Sequence, residues 1–288
     1  MPDNTHTKQL TNQDEKHLRF LIDVCITPST AFSNQIDFPE LLSLAQRHRL
    51  VGSLNKAVSA QKADLPTSFI TNLSEVASKI AFKNLQLCHQ LVLLAQKFKQ
   101  EELQWMSLKG PVLAQEIFGE LSFRQSSDLD ILVRESDLEK TDRILREAGF
   151  NDVSETPFSQ LNPSEKKAFA HISHELPYYN PKTNSKVELH WKLVAPKSLF
   201  PKTESEIWGN KQLIPFGGIE IPTLSQENQL LYLCVHGAKH QWFRLFWLRD
   251  VWQIINRKDF DLDALLINLE INGNHRSLLS GLVLCSHF

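Results

Sequence analysis

Apolar residues recur at helical spacing from early in the chain. DEKHLRFLIDVCIT, residues 14–27, carries them three and four apart and stops before Pro28, which predicts a helix. DFPELLSLAQRHRL opens a helical stretch over residues 37–60 with an Asp N-cap and an early Pro, and GSLNKAVSAQ continues it as a second piece. Residues 66–102 predict one long amphipathic helix or two abutting ones. Residues 1–102 therefore read as an N-terminal helical region without strands.

The pattern changes at Leu103. LQWMSLKG is short, apolar and ended by Gly110, as a strand would be. PVLAQEIFG predicts a short helix with Pro111 in its first turn and Gly119 at its end. SDLDILV reads as a second strand, ESDLEKTDRILREAGF as a helix stopped by Gly149, and HELPYYN and KVELHWKL as two strands around a PKTNS turn. Residues 103–194 thus form a compact strand–helix core. Residues 195–288 begin Pro-rich and irregular, with a short GGIEIP strand or hairpin, and end in helices starting at TLSQENQLLYLCVHGAKHQ. SLLSGLVLCSHF ends inside an apolar helical pattern, as in a truncated product or a fragment.

Composition narrows the classes. The chain has 288 residues, 42% of them hydrophobic, and a formal net charge of −2. A packed core is expected. A near-neutral balance gives no footprint for nucleic acid or an anionic membrane as bulk partner. No apolar run reaches the length of a membrane span, and the polar start MPDNTHTKQLTNQDEKH lacks the apolar core of a signal peptide. Cys25, Cys88, Cys234 and Cys285 are scattered among apolar neighbours without zinc-type spacing, which fits reduced thiols and a cytoplasmic protein.

One stretch breaks the apolar rule. In RQSSDLDILV, Asp128 and Asp130 point to one side of a strand, while Leu129, Ile131 and Val133 point to the other. Two carboxylates on one face repel and are costly to bury without a partner. They are solvated at a strand end, or they hold a divalent cation such as Mg²⁺, which takes oxygen ligands from one or two carboxylates and from substrate phosphates. The surroundings favour the cation. Gly110, about eighteen residues upstream, opens a helix whose free amides suit a phosphate. Lys109, Arg124, Ser126 and Ser127 stand near these elements as phosphate contacts. Glu188, on a later strand, supplies a third carboxylate.

Taken together, LKG…FGELSFRQSSDLDILV…LREAGF…VELHW resembles the nucleotidyltransferase superfamily with the polymerase-beta-like fold. More narrowly, it looks like an uncharacterised bacterial nucleotidyltransferase family in which Lys-Gly replaces the usual Gly-Gly or Gly-Ser. The resemblance extends over roughly residues 70–255 and includes HGAKHQWFRLFWLRDV. It implies an α+β fold, a small mixed sheet with helices, flanked by helical regions. It also implies Mg²⁺, with Mn²⁺ as the alternative, on Asp128, Asp130 and Glu188, and a nucleoside triphosphate with Gly110 near its β- and γ-phosphates. The reaction implied is transfer of a nucleoside monophosphate, most commonly from ATP, to an unknown acceptor with release of pyrophosphate. The rival readings are a catalytically silent nucleotide-binding protein and a toxin-like member that modifies protein.

Other residues are weaker candidates. His236 and His240 share a helix face, but no Glu between them or third ligand marks a zinc site; lining the cleft is the functional alternative to packing. His190 shares a strand face with Glu188. Asp250 can orient a substrate group or His240, or pair with Arg249 or Arg244. The aromatic cluster Trp242, Phe243, Phe246, Trp247 and Trp252 reads first as core and second as a base-stacking surface. Glu175 is the competing choice for the third acid.

Overall fold

The computed structural model describes residues 12–33, 36–61, 65–195, 199–200, 202–272 and 276–287. The polar stretch 1–11 and the Pro-rich positions 196–198 and 201 lie outside the described residues. The fold is α+β: one mixed sheet with helices on both faces and a helical bundle before it.

The bundle comprises α1 (Asn12–Ile26), α2 (Phe38–Arg47), α3 (Val51–Ala60) and the first half of α4 (Thr67–Gln100). Asp37 caps α2, accepting the Glu40 backbone N–H at 3.1 Å, and Pro39 sits in the first turn. α4 is one helix of 34 residues, about 51 Å at 1.5 Å per residue. Its Phe69 and Leu73 pack into the bundle, and its Leu87, Leu91, Leu94 and Phe98 lie under the sheet. A single rod therefore joins the two cores.

The strands are β1 (Trp105–Ser107), β2 (Leu129–Val133), β3 (Asn151–Asp152), β4 (Glu175–Asn180), β5 (Ser185–His190), β6 (Gln212–Phe216) and β7 (Ile219–Thr223). Their order is β3-β4-β5-β2-β1-β7-β6. β2 runs parallel to β5 and antiparallel to β1. The β6–β7 hairpin joins the sheet through β7 beside β1, so the sheet takes in strands beyond residue 194. Between β3 and β4 stands α7 (Pro163–Ile172), closed by an Asn162–Glu165 capping box.

Alternation decides what each face buries. Leu129, Ile131, Val133, Val187 and Leu189 face α4 and α6 (Leu138–Glu147) in one core. Met106, Leu108 and Leu132 face the other, packed against α5 (Gly110–Phe118), α9 (Gln226–Lys239), α10 (Leu245–Ile255) and α12 (Arg276–Cys285). Two further helices, α8 (Glu204–Gly209) and α11 (Leu262–Asn272), contribute Ile207, Trp208 and Leu265 to this second core. Gly237 in α9 makes room for the Trp242 indole: a Cβ there would meet ring carbons at 2.3–2.5 Å. No described helix is long and apolar enough to cross a membrane.

The loop before β2 is held by one buried amide. Asn84 of α4 donates to the carbonyls of Leu121 (2.7 Å) and Arg124 (3.0 Å) and accepts the Ser126 N–H (3.1 Å). Removing it leaves those backbone groups unpaired in the interior. Asn84→Ala is expected to lower unfolding free energy by about 2–3 kcal/mol in urea denaturation. A loss under about 0.5 kcal/mol, the level of a neutral surface change, would contradict this role.

Candidate active site

The site begins with register. β2 and β5 pair so that Asp130 lies beside Glu188 and Leu132 beside His190. β4 pairs with β5 so that Glu175 lies opposite His190. Asp130, Glu175, Glu188 and His190 thus share the sheet face covered by α9, at the floor of a cavity of about 610 Å³. The turn from β1 to α5 is pinned to the same place, because the Leu108 N–H donates to the Asp130 carbonyl at 3.0 Å. Gly110 there adopts φ +67°, and a Cβ would stand 3.3 Å from the Asp128 carbonyl oxygen. Both facts favour glycine at that position. The α5 N-terminus has no side-chain cap.

The ligand atoms of Asp130, Glu188 and His190 all lie within 4.8 Å of one another. Asp130 is 2% exposed. Burial would raise its pKa, but the Lys109 ammonium, 2.8 Å from Oδ1, and His190 outweigh that and hold it below the ordinary carboxylate range. The ion contact is off hydrogen-bond geometry, and Oδ1 has no hydrogen-bond donor among the described residues. Burial works against the charge of Lys109 too, yet Asp130 raises its pKa above the usual lysine value. Glu188 moves the other way. Burial first, then the charges of Asp130 and Asp128, push it up to about 7.

His190 sits among three carboxylates. Its Nε2 is 3.4 Å from Asp130 Oδ1 and 3.8 Å from Glu188 Oε2, and its Nδ1 is 3.5 Å from Glu175 Oε2. Neither ring nitrogen has a hydrogen-bond partner among the described residues. Asp128 stands just before β2 on the same face, with Oδ2 accepting the Ser127 hydroxyl at 2.9 Å. Its pKa is raised by burial and then by Asp130. A crowded, oxygen-rich set of carboxylates, one of them pushed toward neutrality by its neighbours, fits a hard divalent cation.

The remaining candidates divide. Lys109, Gly110, Arg124, Ser126, Ser127, His236 and His240 line the cavity. The Arg124 guanidinium, however, is committed: its Nε is 2.8 Å from Asp250 Oδ2, and both groups are buried. Asp250 is therefore the direct counter-ion of Arg124, with the charge of Arg249 nearby, because α10 turns its carboxylate toward the loop before β2. Burial pushes His236 down to about 2, so it is neutral. His240 stacks on Trp247 at 5.4 Å and 26°. Phe246 and Trp247 are buried cavity walls, Phe243 is 55% exposed at its edge, and Trp242 and Trp252 pack into the C-terminal core. Sequence reasoning missed Arg49 and Tyr232, which also line the cavity. Neither lies in a recognisable motif.

A mixed sheet that aligns acids from two parallel strands beneath a helix N-terminus is an architecture suited to handling phosphates. The family described as "Uncharacterised nucleotidyltransferase" matches residues 34–288, and the chain belongs to that family. Among solved structures, the chain is similar to an antigenic nucleotidyltransferase-like protein from Paracoccidioides brasiliensis. The match has 18% identity and a TM-score of 0.39, over 68% of this chain and 92% of that one. Comparison with curated proteins gives no match.

Two outcomes follow from these electrostatics. Lys109→Met strands a buried carboxylate, so stability without divalent ions should fall by about 3–5 kcal/mol. Mg²⁺ or Mn²⁺ should then raise its Tm more than it raises that of the wild type. An equal Tm rise in both proteins would show that Lys109 and a cation do not share Asp130. The second outcome concerns Glu188, whose pKa is 4.5 when unperturbed and about 7 in the fold. Its stabilising contribution is full below 4.5 and is lost as pH rises through about 7. Metal-free Glu188→Gln should therefore lose less stability than wild type between pH 5 and 8. Parallel pH profiles would refute the raised pKa.

Proposed function

We propose that the chain is a divalent-metal-dependent nucleotidyltransferase. It transfers a nucleoside monophosphate from a nucleoside triphosphate, ATP by frequency of use, to a hydroxyl or phosphate of an acceptor and releases pyrophosphate. The observation that carries this reading is the β2–β5 register, which sets Asp130 against Glu188 below the uncapped start of α5.

Asp130 and Glu188, with Asp128 on the same face, would hold Mg²⁺ or Mn²⁺, and His190 is close enough to Asp130 and Glu188 to join them. Bound there, the cation neutralises phosphate charge and lowers the pKa of an acceptor hydroxyl. The chain's own residues do the rest. Gly110 lets a phosphate approach the backbone. The Ser126 hydroxyl is buried, unpartnered among the described residues and lines the cavity, so it is available as a donor. Lys109 keeps Asp130 ionised. Glu188 would help hold the cation and lower the barrier for deprotonating the acceptor hydroxyl. Cys25, Cys88, Cys234 and Cys285 are all free thiols. Free thiols support a reducing compartment, the cytoplasm, as the place where it works.

The Lys109–Asp130 contact favours a second reading, in which the ammonium replaces the metal and the protein binds nucleotide without turnover. One titration separates the two. Calorimetry with a nonhydrolysable ATP analogue should show binding that needs Mg²⁺ and disappears in Asp128→Asn/Asp130→Asn. Binding indifferent to Mg²⁺ but lost in Lys109→Met would support the silent protein. Silence with ATP, GTP, CTP and UTP analogues alike would exclude both.

A further inference from the structure

Five cationic side chains line the cavity: Arg49, Lys109, Arg124, Lys239 and Arg244. Two are neutralised internally, Lys109 by Asp130 and Arg124 by Asp250. Lys239 is drawn toward His174, its Nζ 3.4 Å from Nε2. Arg49 and Arg244 are different. Among the described residues, neither guanidinium lies within 4.0 Å of a carboxylate oxygen. Burial and then the charge of Arg244 lower the pKa of Arg49, and burial, Arg47 and Arg244 lower that of His48. Two like charges facing one cavity, neither in contact with a carboxylate, suit an anion.

Their geometry suits a phosphate. Arg49 lies over the Phe246 ring at 5.3 Å, and Arg244 lies over Phe243 at 5.0 Å. A guanidinium stacked by its face keeps N–H groups at its edge for phosphate oxygens; Arg244 spends one of them, on Nη1, on the Arg47 carbonyl at 3.3 Å and keeps the rest. Arg49 also feels the charge of Asp128, so it stands on the side of the paired acids. Its backbone is held at φ +57°, a left-handed conformation cheaper for glycine. The turn that carries it is anchored, since His48 accepts the Leu245 N–H through Nδ1 at 3.3 Å and the Phe246 N–H through its carbonyl at 3.3 Å. Both residues are thus supplied from outside the sheet, one by the α2–α3 turn and one by the start of α10.

We propose that Arg49 and Arg244 form a clamp for the polyphosphate of the nucleotide, completed by the buried Ser126 hydroxyl. The proposal rests on the reading of this cavity as a nucleotide site. It gives the N-terminal helical region a part in binding and identifies the bound anion as the triphosphate rather than a charged acceptor.

The test is titration of the full chain with inorganic tripolyphosphate and with a nonhydrolysable ATP analogue, each with and without Mg²⁺. Arg49→Gln and Arg244→Gln should each weaken both ligands by about tenfold or more, as loss of a charge-assisted contact does. Arg134→Gln, outside the cavity, should leave both unchanged. If Arg49→Gln fails to fold, Arg49→Lys keeps the charge without the fork and should still weaken binding several-fold. Arginine variants that fold and bind both ligands like wild type overturn the clamp. If they do so while Asp128→Asn/Asp130→Asn loses Mg²⁺-dependent binding, the metal reading stands alone. Tripolyphosphate binding that needs both arginines but ignores Mg²⁺ and the aspartates upholds the clamp and overturns the metal reading.

Discussion

Everything at the site depends on the register between β2 and β5. Side chains alternate with a period of two, so a slip of one residue would send Asp130 into the α4 core and Leu129 or Ile131 into the cavity. The register is fixed by what the other face buries. Leu129, Ile131, Val187 and Leu189 all pack against α4 and α6. The apolar half of these strands therefore sets the position of their polar half. The same parallel pairing requires a long crossover, and the chain uses it to bring β4, with Glu175, to the far side of β5.

A charge placed so deep must be balanced, and the fold does this in two layers. The inner layer pairs two buried cations with buried acids, Lys109 with Asp130 and Arg124 with Asp250. These pairs are costly to break and contribute little net stability. Their value lies in fixing geometry: Arg124 also reaches the Gly110 carbonyl at 3.4 Å, tying α10 to the β1–α5 turn. The outer layer consists of partly exposed groups at the cavity surface, the Glu188 carboxyl on one side and the guanidinium groups of Arg49 and Arg244 on the other. This separation of opposite charges along one cleft matches a ligand made of a cation and a polyanion.

The sequence made the core of this arrangement legible because strand alternation is a short-range rule. Asp128 and Asp130 against Leu129, Ile131 and Val133 announced the two faces, and Val187, Glu188 and Leu189 announced the partner strand. The helix spacing of α1 through α4 was equally plain. What the chain did not announce lies in long-range contacts. The joining of β6 and β7 to the sheet beside β1 depends on Thr223 donating to the Ser107 carbonyl across 116 residues. The Arg124–Asp250 pair spans 126 residues. Arg49 sits in an ordinary helix–helix turn, and only docking against α10 brings it to the cavity. His190 joined Asp130 and Glu188 by proximity, while Asp128 kept its place one step before the strand. α7 lay unread because its capping box begins a helix with few apolar positions, only Ala170 being buried.

The central claim is that the acids aligned by β2 and β5 hold a divalent cation. The most direct measurement is an anomalous difference map from crystals of the protein grown with Mn²⁺ and a nonhydrolysable nucleotide. The account predicts a peak within coordination distance of Asp130 and Glu188, at the cavity floor beneath Gly110. An ordered nucleotide with no anomalous peak there, and the Lys109 ammonium still seated on Asp130, would contradict it.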